Sequence, residues 1–165
     1  MLATRPKPMT LRCYWCSVPD GAMTDRQTID PSQLVLSLLR DPSELALLSS
    51  SVKSFAVSNH ISGQSCANIQ LISEELFINC ITHNESAIGP VEIRLSLSDL
   101  NLELSIKDHA LEPFDPVQYA KEQLPQRGRQ AHSAGHGLIL VAAIASDLRY
   151  QFRGGISIIE ATIAL

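Results

Sequence analysis

Three polar side chains that could take part in chemistry recur at intervals of four residues in the segment SEELFINCITH, at residues 73–83. On an α-helix, Glu75, Asn79 and His83 would form one row on the same side. The row borders an apolar stripe that includes Leu76, so its polar groups would lie at the edge of the core, beside a cavity. That position suits a partly desolvated catalytic group.

Two further segments contain groups suited to binding a ligand. Asp108 follows an alternating strand pattern in IKDHALEPFDP, where it is either a buried hydrogen-bond acceptor or an ordinary solvated aspartate. In AGHGLILV, Gly135 and Gly137 precede an apolar run. A glycine turn that opens a helix can bind an anion through its backbone N–H groups. A flexible turn is the alternative interpretation of this G-x-G pattern.

The elements that must position these groups can be predicted from the periodicity of the apolar residues. The segment QLVLSLLR, at 33–40, is short and apolar and predicts a strand. Asp41 and Pro42 form a helix-start signal, and apolar residues at steps of three and four extend that helix to about Ser58. The same periodicity predicts a second helix at about 65–83.

The second half of the chain contains the patterns of two antiparallel hairpins and one helix. These are alternating strands at 91–98 and 102–108, a polar loop at 121–135, an apolar helix at 138–146, and a hairpin turning at Gly154-Gly155. In the last strand the alternation changes phase near Ile158, which indicates a bulge. Since every alternating strand offers one apolar face, the pattern predicts a two-layer α/β sandwich.

Composition and charge narrow the class of protein. The chain has 165 residues, of which 45% are hydrophobic and 18% charged, as is typical of one packed domain. We divide it into an irregular extension at 1–31 and a domain at 32–165. A net charge of -4 gives no general attraction to nucleic acid or to an anionic membrane. The longest apolar run is too short to span a bilayer, and no secretory pattern precedes the domain, so the expected location is the cytoplasm.

A lone C-x-x-C, formed by Cys13 and Cys16, lies in the extension. It could be a redox pair or half of a zinc site, but zinc normally takes four ligands and the sequence contains no second such pair. We therefore assign no role to these cysteines.

The three polar segments together resemble the N, G1 and G2 boxes of the GHKL ATPases, in the form found in anti-sigma-factor serine/threonine kinases. They occur in the order of that family, on a helix, a strand end and a loop-to-helix turn, within residues 32–165. The resemblance implies a Bergerat-type fold, in which helices cover one face of a mixed, largely antiparallel sheet. It also implies that the domain binds ATP and Mg²⁺.

The resemblance assigns a role to individual residues. Asn79 would hold Mg²⁺ on the nucleotide phosphates, and Glu75 would be the general base that takes the proton from a serine hydroxyl or from water. Glu74 lies about 100° around the helix from that row, which is typical of a solvated carboxylate. Asp108 would accept a hydrogen bond from the exocyclic amine of adenine. The remaining residues expected to contact the nucleotide are His83, Ala110, Phe114, Arg127, Arg129, Gly135, His136, Gly137 and Leu138.

Two departures from the family pattern leave alternative functions open. Ala110 replaces the usual glycine of the G1 box, and one extra residue precedes Pro113. The resemblance implies a kinase that phosphorylates a STAS-type anti-sigma-factor antagonist and binds a sigma factor, and that could form a homodimer. The departures suggest instead a degenerate module of the same fold that exchanges protein partners without phosphotransfer. A histidine-kinase fragment is a third reading, but we expect no phosphoacceptor helix pair before residue 32.

Overall fold

The computed structural model describes residues 30–84, 87–109, 114–123 and 136–165. In chain order its elements are β1 (Gln33–Leu38), a 3₁₀ turn (Pro42–Glu44), α1 (Leu45–Ser58), α2 (Gly63–His83), β2 (Val91–Leu97), β3 (Asn101–His109), α3 (Pro116–Gln123), α4 (His136–Ile144), β4 (Asp147–Arg153) and β5 (Ile156–Ala164). Nearly all of the predicted extension, including Cys13 and Cys16, lies outside the described residues. Most of the predicted loop, at 124–135, also lies outside them.

The five strands form one sheet in the order β1-β2-β3-β5-β4. Every pairing among the described strands is antiparallel, whereas the expectation allowed for a mixed sheet. Burial alternates along the strands. In β2, for example, Val91, Ile93 and Leu95 are buried while Glu92 and Arg94 are exposed. The helices therefore cover one face, which confirms the two-layer α/β sandwich.

The hydrophobic core lies between the inner face of the sheet and the helices. Strand β3 contributes Leu102, Leu104 and Ile106 to this face, each almost fully buried. Because side chains alternate along a strand, the next inward position belongs to Asp108. The regular pattern of β3 thus places a carboxylate at the end of the hydrophobic core.

Helix α2 is the central helix of the covering layer and packs against α1, α4, β3 and β5. It begins after Ser62, whose Oγ accepts a hydrogen bond from the Ser65 backbone N–H at 3.1 Å. Its buried apolar residues are Ile69, Ile72, Leu76, Phe77 and Cys80. Neither α2 nor any other described helix is long and apolar enough to cross a membrane.

Helix α1 ends in a Schellman motif, in which the chain turns through a left-handed residue. The Ile61 N–H donates to the Ala56 carbonyl at 2.9 Å, and the His60 N–H donates to the Val57 carbonyl at 3.3 Å. His60 has a φ of 56°, a conformation for which glycine is the usual residue. Ile61 packs against the core and anchors the turn.

Two local predictions are wrong. The segment 116–123 forms α3, although part of it was expected to be a loop. The Asp115 carboxylate caps this helix by accepting hydrogen bonds from the Val117 and Gln118 N–H groups at 2.9 and 3.0 Å. There is also no bulge at Ile158, because β5 pairs with β3 in an unbroken register and Ile158 lies on the outer face.

Candidate functional site

The row predicted on α2 is present in the structure. Glu75, Asn79 and His83 are successive turns apart, and at 1.5 Å per residue the row spans about 12 Å. Glu75 and Asn79 are half-buried, whereas His83, the last residue of the helix, is exposed. The row therefore runs from the packed middle of the domain to its surface.

At the inner end of the row, the Glu75 carboxylate lies against Gly137. A Cβ atom built on Gly137 would lie 2.9 Å from Oε1 of Glu75 and closer still to Oε2, so a side chain at this position would overlap the carboxylate. Gly137 is the second residue of α4. The first N–H groups of a helix have no partner within the helix and favour negative charge. The carboxylate therefore lies where α4 is best able to bind an anion.

One turn further along α2, the side chain of Asn79 is fixed by its own helix. Its Nδ2 donates to the Glu75 backbone carbonyl at 2.7 Å. Because the nitrogen is used within the helix, Oδ1 is the atom through which Asn79 could coordinate a hard cation such as Mg²⁺.

The buried carboxylate of Asp108 lies near the C-terminal end of α2 and is held by two side chains. Arg40 donates from Nη1 to Oδ1 and, at 3.1 Å, from Nη2 to Oδ2, while Asn84 Nδ2 donates to Oδ2 at 2.7 Å. Asp108 is 1% exposed and Arg40 14%. A bidentate arginine–carboxylate pair at such depth is among the stronger charge-assisted contacts in a protein.

Arg40 also binds the end of α2 itself. Its Nη2 donates to the backbone carbonyls of Cys80 and Asn84, each at 3.0 Å. The last carbonyls of a helix lack partners within the helix, and a cation is favoured there. Arg40 thus connects the segment after β1 with the end of α2 and with β3.

The Cys80 thiol, also in this region, is inert. Burial is the main cause that raises its pKa to about 12, the charge of Asp108 raises it further, and the charge of Arg40 acts in the opposite direction. The thiol is therefore protonated at neutral pH, and thiolate chemistry at Cys80 is excluded.

A hydroxyl pair borders Asp108 on the β5 side. Ser157 is the residue opposite Asp108 in the β3–β5 register and is 5% exposed. Its Oγ donates to the Tyr150 hydroxyl at 3.1 Å. Asp108 therefore has polar neighbours both on the helix layer and within the sheet.

An aromatic stack joins the outer end of the row to α3. The rings of His83 and Phe114 are nearly parallel, with centroids 4.3 Å apart and planes at 14°, and Tyr119 tilts against Phe114 at 5.8 Å. Phe114 also packs against the core. The predicted contacts of His83 and Phe114 with a nucleotide would thus involve a pair of rings already in contact with each other.

The structure brings some of the predicted site residues together along α2. Glu75 contacts Gly137, Asn79 lies on the same row of the helix, and Asp108 lies beside the C-terminal end of the helix. Leu138 is 1% exposed and its side chain belongs to the core, so only its backbone could meet a phosphate. Five predicted contacts lie outside the described residues: those of Ala110, Arg127, Arg129, Gly135 and the His136 side chain.

Sequence reasoning missed the partners of Asp108. Arg40 lies 68 positions and Asn84 24 positions before it in the chain, and no motif connects either residue with it. Ser157 could have been found, because it is a polar residue at an inward position of an alternating strand.

The described residues fit a nucleotide with Mg²⁺. The absence of a Cβ on Gly137 lets an anionic group, in this structure the Glu75 carboxylate, approach the backbone at the start of α4. Asn79 offers an amide oxygen to a hard cation, and Asp108 is a buried acceptor that could recognise an amino group. The three features follow one another along α2, from Gly137 beside Glu75, through Asn79, to Asp108 beside Asn84.

Comparison with models of known families shows the family to which the chain belongs. Residues 38–163 match the model of the histidine kinase-like ATPase domain. The match begins at the last residue of β1, extends into β5 and includes most of the chain, so the protein belongs to this family. A comparison with curated protein sequences finds no significant match.

Two solved structures have a similar fold. The SiaB-SiaC complex from Pseudomonas aeruginosa gives a TM-score of 0.57 at 15% identity, covering 79% of this chain and 88% of that one. The RsbU and RsbW domains of Rv1364c from Mycobacterium tuberculosis give 0.56 at 13% identity, covering 79% of this chain. This chain spans 31% of the length of the mycobacterial one. At such identities the likeness establishes the shared fold.

Proposed function

We propose that this protein is an ATP-binding anti-sigma regulatory factor that acts as a serine/threonine kinase on an antagonist protein. The observation that carries the proposal is the contact between the Glu75 carboxylate and Gly137 at the start of α4. It joins a candidate general base to a candidate phosphate site. Membership of the histidine kinase-like ATPase family supports ATP as the ligand.

In this proposal each part of the site has one task. ATP supplies the phosphoryl group that is transferred. Glu75 takes the proton of the attacking serine hydroxyl, and Asn79 holds Mg²⁺ through Oδ1. Backbone N–H groups at the start of α4 bind phosphate oxygens. Asp108 accepts a hydrogen bond from the exocyclic amine of adenine.

The partners that we propose are a STAS-type antagonist and a sigma factor, exchanged in the cytoplasm. The likeness to SiaB, whose structure is that of a complex with SiaC, supports a second protein as the binding partner. Phosphorylation adds about two negative charges to the antagonist at neutral pH. It would weaken the complex and free this protein to bind the sigma factor, by the linkage that couples the two equilibria.

Titration with Mg·ATP, followed by transfer of labelled γ-phosphate to an antagonist, tests the proposal. Replacing Glu75 by Gln should lower the rate of transfer by about 100-fold or more, because a positioned general base contributes that much. Nucleotide affinity should stay within about twofold, since the step lost is made only in the transition state. Glu74→Gln is the matched control, because it removes the neighbouring carboxylate that lies off the row, and it should transfer normally.

A second candidate is a module of the same fold that exchanges partners without phosphotransfer. The alanine at position 110, where the family's pattern has glycine, favours it. Saturable Mg·ATP binding without transfer to any antagonist would support this second candidate. Absence of saturable binding in the full chain would refute the kinase.

A further inference from the structure

We propose that Arg40 is a positioning residue for recognition of the base. Together with Asn84 it holds the Asp108 carboxylate so that one remaining acceptor position meets the exocyclic amine of adenine. The inference rests on the proposed binding of ATP, and it gives the site a specificity determinant that lies outside its three sequence motifs.

The distribution of hydrogen bonds on the carboxylate is the first support. A carboxylate has about four acceptor positions on its two oxygens. Oδ2 of Asp108 receives Arg40 and Asn84, whereas Oδ1 receives Arg40 alone. Among the residues that the structure describes, donors thus occupy three positions, and one position on Oδ1 remains. A single acceptor matches a single N–H of an amino group.

The donors of Arg40 are the second support. Arg40 can only donate, and it donates to both oxygens of Asp108, so both oxygens act as acceptors in this contact. A carboxylate held in this way offers the base an acceptor and no donor. A base with a carbonyl oxygen at this position, such as guanine, would place lone pairs against lone pairs. Arg40 would therefore enforce selection of an amino group.

The bonds from Arg40 to the end of α2 are the third support. Nη2 reaches the Cys80 and Asn84 carbonyls, in and just after the last turn of the helix that carries Glu75 and Asn79. A single guanidinium therefore fixes Asp108 relative to that helix. The base and the phosphates of one nucleotide must fit both parts at once, so this spacing matters for binding.

Arg40 could also have the opposite effect on ATP affinity, and the experiment distinguishes the two effects. If Arg40 merely sequestered Asp108, it would compete with the amine of the base. Removing Arg40 would then strengthen ATP binding rather than weaken it.

The experiment compares the affinities of two nucleotides that differ only in the amine. The probes are Mg·ATP and the Mg·triphosphate of purine riboside, which has hydrogen in place of the 6-amino group. Dissociation constants are measured by calorimetry on the full chain and its Arg40→Met, Asn84→Ala and Arg149→Met variants. Arg149→Met is the matched control, since it removes an arginine–carboxylate pair on the exposed part of β4.

The wild type should prefer ATP by about 10-fold or more, as expected for a hydrogen bond to a charged group. Arg40→Met should weaken ATP by about 10-fold and the analogue by no more than about twofold, so that the preference nearly disappears. Asn84→Ala should reduce the preference by about threefold, and Arg149→Met should leave it unchanged. A general structural defect would weaken both nucleotides equally.

Three results would overturn the inference. An unchanged preference in Arg40→Met and Asn84→Ala would remove Arg40 from base recognition while ATP binding itself stands. Tighter ATP binding in Arg40→Met would show that Arg40 blocks the base. Failure of the wild type to bind either nucleotide would refute the proposed function and this inference together. If Arg40→Met does not fold, Arg40→Lys decides the question, because an ammonium group keeps the charge but cannot hold both oxygens of Asp108 in the same bidentate geometry. An unchanged preference for ATP in Arg40→Lys would then overturn the inference.

Discussion

The two ends of the candidate site are built in opposite ways. At the proposed phosphate end, formed by Glu75 and Gly137, the glycine has no side chain, and the Glu75 carboxylate fills the space that a Cβ would take. At the proposed base end, Asp108 is enclosed by Arg40 and Asn84, with little exposure to solvent. The phosphate end depends on the absence of a Cβ and on the backbone, whereas the base end depends on several hydrogen bonds between side chains.

This difference predicts how each end responds to mutation. A substitution that adds a Cβ at the phosphate end should impair function but keep the fold, because the Glu75 side chain can move away from the added atom. A site made of buried charges should lose stability as soon as one partner is removed, since the other charge is left without compensation. Mutation at one end should thus affect function alone, whereas mutation at the other should affect both base recognition and stability.

The largest effect that we expect is on stability at the base end. Arg40→Met should lower the free energy of unfolding by about 3–5 kcal/mol, because Asp108 stays buried without its counter-charge. The double variant Arg40→Met, Asp108→Leu should recover most of this loss. Urea denaturation of both variants, with Arg149→Met as an exposed-pair control, measures the coupling. Equal losses in the single and double variants would contradict a charge-based explanation.

At the phosphate end, Gly137→Ala should lower phosphotransfer by about 100-fold while the fold is retained, because the new Cβ displaces the Glu75 carboxylate. Gly63→Ala is the matched control. A Cβ on Gly63, the first residue of α2, meets nothing within 4 Å. The measurement is the rate of transfer together with the urea midpoint of each variant. Unfolding of Gly137→Ala would break the contrast between the two ends.

The burial of Cys80, in the last turn of α2 near the base end, can be tested by chemical modification of cysteines. In a background lacking Cys13 and Cys16, iodoacetamide should modify Cys66 at pH 8 at least about 10-fold faster than Cys80, because the thiolate is the reactive form. Burial raises the pKa of Cys80 from 9.0 to about 12. Its contribution to stability is therefore complete below pH 9 and is lost as the pH rises towards 12. Mass spectrometry after timed labelling gives both rates, and comparable rates would show that this end is open.

We expect the smallest effect on stability in a third region, the turn after α1. This turn serves as a reference for the phosphate end and the base end of the site. His60→Gly should raise the free energy of unfolding by about 0.5–1 kcal/mol, because glycine adopts the left-handed conformation without steric cost. Nucleotide affinity should not change. Thermal and urea unfolding measure the gain, and a loss of stability would mean that the His60 side chain makes a contribution larger than its backbone strain.

The sequence predicts the phosphate end far better than the base end. The row on α2 follows from a spacing of four, and the place of Gly137 follows from a turn before an apolar helix, so both are local patterns. The inward position of Asp108 follows from the alternation of β3. Its bonds to Arg40 and Asn84 could not be predicted, because they join positions far apart in the chain and depend on how the layers pack.

Helix α3 is missed for a different reason, because the sequence contains the signal for the start of this helix. Asp115-Pro116 has the same cap and first-turn proline as Asp41-Pro42, which was recognised. The polar sequence that follows lacks the apolar period that extends a helix, so the pattern predicts no helix at 116–120 and places 121–123 in the polar loop. Capping by Asp115 and the packing of Tyr119 on Phe114 supply what the periodicity lacks.

The strand order determines when the domain can be completed during synthesis. Strand β5 follows β4 in the chain but lies between β3 and β4 in the sheet. On the ribosome, β4 emerges first and has no strand to pair with until β5 inserts beside β3. Ser157 then comes to lie opposite Asp108. A nascent chain halted before Ile156 would therefore contain every predicted motif residue and still lack the strand that pairs with β3 beside Asp108.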